Sequence, residues 1–134
     1  MDRTALDRIP AAADANPKDD PEVAFVLELG RALQTFGASA PTLEKALLRV
    51  AERLGLEGAL YATPTGFLAS LRKEGHHSRT YLQRIEAGQS DLEKLTRVEE
   101  LVDLVIAGEL DAPAAREHLA RLLDGPPHFG PWKV

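Results

Sequence analysis

The 134-residue sequence predicts an α+β fold in two layers: two helices, a small antiparallel sheet of about three strands, then two more helices. Three observations predict it. Apolar residues recur at helical spacing through residues 21–54 and again through 92–123. Between those blocks, Gly58 to Leu71 is the longest window without a charged residue, and it is apolar, β-branched and aromatic with no 3.6-residue period. Turn chemistry then divides this middle region: Thr63-Pro64-Thr65-Gly66 interrupts any continuous ladder, and Lys73-Glu74-Gly75-His76 reads as a hairpin turn.

Residues 1–20 are rich in Ala, Asp and Pro, lack aromatics and read as a disordered leader. A single domain follows over 21–124, and a linker over 125–134. The first helix begins near Pro21 on Val23, Val26, Leu29, Leu33 and Phe36, with Gly37 closing it. Gly30 lies on the same stripe and implies close packing at a small residue. Ser39 or Thr42 caps the second helix, whose apolar face is Leu43, Ala46, Leu47, Val50 and Leu54, with Gly55 after it. The last strand returns over Ser78 to Glu86, with Tyr81 and Ile85 on one side and Leu82 on the other. Ser90-Asp91-Leu92-Glu93 reads as a capping box for a third helix on Leu95, Val98, Leu101, Val102 and Val105, ended by Gly108. Asp111 caps a fourth, with Pro113 in its first turn and Ala115, Leu119, Leu122 and Leu123 on its buried side.

Composition narrows the function. A net charge of −5 argues against a nucleic-acid partner, which calls for a surplus of Lys and Arg. The absence of cysteine excludes disulfides and thiolate metal sites. No stretch reaches the roughly 20 predominantly apolar residues that a bilayer-spanning helix needs. None of the four histidines has a metal-ligand partner at helical spacing, and neither a P-loop, a G-x-G-x-x-G nor a G-x-S-x-G elbow is present. No cofactor is expected. The one positive cluster is Arg72, Lys73, Arg79 and Arg84 against Glu74 and Glu86, which reads either as an edge strand protected by charge or as a strip for an anionic partner.

Several segments in order resemble a known family. They are Leu29-Gly30-Arg31-Ala32-Leu33, Gly37, Thr42-Leu43-Glu44-Lys45-Ala46-Leu47, Gly58-Ala59-Leu60-Tyr61-Ala62-Thr63-Pro64-Thr65-Gly66, Thr80-Tyr81-Leu82-Gln83-Arg84-Ile85, and Asp91 through Leu101. Over about Val23 to Trp132 the chain resembles the N-terminal soluble domain of the threonine/serine exporter family, with Asp91 where the family more often carries Asn. The resemblance implies a soluble domain joined to a bundle of transmembrane helices that exports small hydroxy amino acids on the proton gradient. This chain is then expected to be an accessory or regulatory domain on the cytoplasmic side of the cell membrane, performing no transport alone. Its partners are the transmembrane part, in the same or a separate chain, and small amino acids such as threonine or serine. The expected ligand or docking site is the Thr63, Pro64, Thr65 and Gly66 turn with Thr80 and Arg84, the arginine offering a bidentate grip for a carboxylate. Two other readings stay open. One is a small hydrolase-like enzyme, with Thr63, Thr65 or Ser70 as nucleophile and His76 or His77 as base. The other is an oligomerisation domain whose strand edges pair between chains.

Overall fold

The computed structural model describes residues 20–86 and 90–123. Residues 1–19 of the expected leader, residue 124 and the expected linker over 125–134 lie outside them. The element order is α1 (Pro21–Thr35), α2 (Ala40–Arg53), β1 (Leu56–Thr63), β2 (Gly66–Lys73), β3 (Arg79–Arg84), α3 (Leu92–Ile106) and α4 (Ala112–Leu123). Helix–helix–sheet–helix–helix is thus the architecture, an α+β fold as the sequence predicts.

Each helix starts where a side chain can accept the free amides of its first turn. The Asp20 carboxylate, placed by sequence in the leader, accepts from the Glu22 and Val23 amides at 3.1 and 3.3 Å and caps α1. Ser39 Oγ accepts from the Thr42 amide and caps α2. For α3 the expected capping box is corrected by one residue. Asp91 has extended backbone, at φ −134° and ψ 96°, and its carboxylate accepts from the Lys94 amide at 3.0 Å. Glu93 is thereby inside the helix and pairs with Arg97 one turn on, at 2.7 Å. Asp111 caps α4 through the Ala114 amide at 2.9 Å. At the other end of α1, Gly37 takes φ 110°, a left-handed conformation open to glycine at little cost, and this lets the Ala38 amide return to Leu33 O at 2.9 Å.

The sheet is a meander in the order β1-β2-β3, antiparallel throughout. Strand β2 alternates cleanly, with Phe67, Ala69 and Leu71 buried and Leu68 exposed between them. Its inward face receives α1, while α2 lies on β1. The helices α3 and α4 pack on α1 and on each other. Surrounded in this way, α1 buries Val23 through Leu27 as well as Leu29, Gly30, Ala32 and Leu33, more than the single stripe its periodicity predicts. Among the described residues no polar or charged side chain is buried, so the core is held by apolar packing alone. Charge works at its rim: Arg116 of α4 grips Glu28 of α1 through two bonds of 3.0 Å, and the carboxylate raises the arginine's pKa further.

The layers meet at Gly30. A Cβ built there would stand 2.6 Å from Phe67 Cζ and 2.8 Å from Leu47 Cδ1, so with any side chain at this position the Phe67 ring and the end of Leu47 must shift within a close-packed core. Gly30→Val is expected to lower the unfolding free energy by about 2–3 kcal/mol, as overpacking a close-packed core does. Adding Phe67→Leu should recover part of that loss, a non-additivity that urea denaturation of the two single variants and the double variant measures.

Candidate functional site

Helices α1 and α2 cover one face of the sheet, and no described element covers the other. Its register sorts the outward side chains into rows across the three strands. Tyr61, Leu68 and Leu82 form one row, being directly paired, and they are 64%, 40% and 63% exposed. On one side of them runs Ala59, Ser70 and Thr80; on the other, Thr63, Gly66 and Arg84. The predicted site residues Thr63, Gly66, Thr80 and Arg84 therefore share this face, with Pro64 and Thr65 at its rim in the β1–β2 turn. Thr80 and Arg84 are four residues apart along β3 with Leu82 between them, so the apolar row separates Thr80 from the turn.

That turn is internally satisfied. Thr63 Oγ1 donates to Gly66 O at 3.3 Å and accepts from the Thr65 amide at 3.4 Å. Thr65 O accepts from the Ile85 amide at 2.9 Å. From beneath, the Gln34 side-chain amide of α1 donates to both Thr63 O and Gly66 O. Gln34 Oε1 is buried with no partner, and turning the amide over would instead set that oxygen against two carbonyl oxygens. Gly66 is required by proximity: a Cβ there would collide with Gln83 O of β3. Gln34, like Glu44, whose carboxylate accepts from the Ala62 amide of β1 at 2.7 Å, is a site-forming residue that sequence reasoning missed. Its partners lie 29 and 32 residues away and are backbone atoms, so no side-chain pattern signals it.

The basic cluster divides in two. Arg72 pairs with Glu57 across the β1–β2 ladder, and Lys73 reaches Asp20 at 3.2 Å and Glu22 at 2.7 Å. Neither uses the neighbouring Glu74 or Glu86. Arg79 and Arg84 have no ion-pair partner among the described residues, and both are exposed. Of the two, Arg84 lies on the open face in phase with Leu82, whereas Arg79, paired with the buried Leu71, lies on the other side of the sheet at the far end of β3.

The groups needed for a hydrolase do not converge. Thr63 and Thr65 stand at one end of β2 and His76 and His77 at the other, about 20 Å away at strand rise. Ser70 Oγ lies 2.8 Å from Ser78 Oγ, and no hydrogen bond joins it to either histidine. Among the described residues no group of three His, Cys, Asp or Glu is placed to hold a metal ion. Nor is any described helix long and apolar enough to cross a membrane.

A protein-family model with the description "Putative threonine/serine exporter" matches residues 24–134. The chain belongs to the threonine/serine exporter family. The match takes in the exporter-family sequence from the first turn of α1 onward, including every strand and the whole open face. No curated protein matches the chain. No solved structure does either.

Two expected outcomes follow from the turn and from the strip. Gln34→Leu removes a donor from Thr63 O and from Gly66 O, the latter keeping the Thr63 hydroxyl, and is expected to cost about 1–3 kcal/mol in urea denaturation, with faster amide exchange at Ile85 as the turn loosens. For Lys73, hydrogen bonding to Glu22 and then to Asp20 raises the ammonium pKa above its ordinary 10.5. A raised pKa means the stabilisation is complete below 10.5 and is lost as pH climbs through the higher folded value. Lys73→Met is thus expected to cost less than about 1 kcal/mol at neutral pH and low salt, and less again at pH 12. Thermal unfolding of both proteins at the two pH values checks this.

Proposed function

We propose that residues 21–123 form a soluble accessory domain of a threonine/serine exporter, lying on the cytoplasmic side of the membrane and docking on the transmembrane part through the open sheet face. The observation that carries this reading is the family match together with where it falls: it takes in most of α1 and the whole of the six elements after it, and none of the described helices has the length and apolarity of a membrane span. The chain then performs no transport alone, and its partner is the transmembrane part of the exporter, in the same or a separate chain.

Docking fits the face better than capture of a free amino acid. The hydroxyl, the amide and the carbonyls that Thr63, Thr65 and Gly66 would offer a small solute are engaged within the fold. The Tyr61, Leu68 and Leu82 row, by contrast, exposes apolar area that gains by burial, and Arg84 beside it can pair with a carboxylate on the partner. In this reading Pro64 and Thr65 make the rim contact, and Thr80 with Arg84 fixes orientation.

The test is threonine efflux from cells carrying the complete exporter. Tyr61→Glu and Leu68→Glu lie on the open face and are expected to lower stability by about 1 kcal/mol each, through lost cross-strand contacts, leaving the domain folded. They should nonetheless reduce efflux about tenfold or more, because a carboxylate would be buried in the docked interface. Wild-type efflux from both variants would overturn docking through this face. Saturable threonine binding by the domain in equilibrium dialysis would restore the solute-binding reading.

A further inference from the structure

We propose that β3 pairs edge to edge with β3 of a second copy of this chain, antiparallel about Leu82, so that two three-stranded sheets become one of six strands. The inference rests on the hydrogen-bond phase of the sheet and not on the exporter reading. Ile85 donates its amide to Thr65 O, so odd-numbered positions along β3 turn their backbone groups toward β2. Thr80, Leu82 and Arg84 turn theirs to the outer edge, where no described residue receives them. The opposite edge of the sheet differs: Glu44 of α2 already occupies the outward Ala62 amide of β1.

Natural edge strands are guarded by a charge, a proline or a bulge along their length. In β3 the arginines stand at the two ends, Arg79 and Arg84, and the middle carries Leu82, 63% exposed. Pairing about Leu82 engages all three outward residues and sets Arg84 against the partner's Thr80 and Leu82 against the partner's Leu82. A register about Arg84 would instead set two guanidinium groups directly opposite each other. The Leu82 register also joins the apolar rows, so that Tyr61, Leu68 and Leu82 run on into the partner's Leu82, Leu68 and Tyr61 on one face. One strand pair buries less than the roughly 1,200 Å² of a stable complex, so the dimer is weak, with a dissociation constant on the order of 0.1 mM.

Sedimentation velocity of the full chain between about 10 µM and 1 mM should show monomer giving way to dimer. Leu82→Lys places two ammonium groups in opposition and should raise the dissociation constant about 100-fold with the circular dichroism spectrum unchanged. Because the chain has no cysteine, single-cysteine variants report geometry directly. Leu82→Cys should give a covalent dimer with a short bismaleimide, while Tyr61→Cys, exposed at the opposite edge, should not. A monomer across the whole range, a dimer indifferent to Leu82→Lys, or cross-linking through Tyr61→Cys in preference to Leu82→Cys would each overturn the proposal. Threonine efflux plays no part in these readouts, so their failure leaves the exporter reading untouched.

Discussion

Where α1 crosses the sheet, one missing side chain sets the distance between the layers. Gly30 lets the ring of Phe67 and the end of Leu47 approach α1 more closely than any other residue would permit. Through that contact a strand, the helix above it and the neighbouring helix share one apolar centre, onto which Phe25, Leu29 and Leu33 extend the packing. The same approach brings Gln34, one turn further along α1, within reach of the β1–β2 turn. The open face thus inherits its shape from a contact on the covered side.

That dependence explains how the face can expose an apolar row without collapsing. Its turn is tied from below by Gln34, its outer strand is tied to the turn through Ile85, and β1 is held by Glu44. With the backbone satisfied on the helix side, the outward side chains are relieved of structural duty. Tyr61 and Leu82 leave most of their surface to solvent, and a partner surface gives such exposed area a use.

Much of the fold was legible because local signals agreed with one another. Caps, proline positions and apolar spacing place all four helices, and the Thr63-Pro64-Thr65-Gly66 and Lys73-Glu74-Gly75-His76 turns divide the strands where the structure does. The α3 cap moved by one residue because Ser90 and Asp91 are both good caps and only the backbone angles decide between them. Of the site, the period-two alternation of β3 and the basic cluster could be read. What could not be read was pairing across space: Lys73 chooses Asp20 and Glu22 over the adjacent Glu74, and Gln34 binds carbonyls that every residue possesses. The turn's threonines illustrate the same limit, since a hydroxyl that looks available in sequence is spent on its own loop.

The Glu28–Arg116 grip separates the time at which each half of the fold can be completed. Its two residues are 88 positions apart, whereas no strand partners in the meander between them are more than 18 positions apart (Gly66 to Arg84). At a synthesis rate of about 5–20 residues per second, α1 waits some 4–18 s after Glu28 is made before its partner on α4 exists. During that interval the buried flank of α1 faces the crowded exit of the ribosome, with α2 and then the sheet as its first shelter.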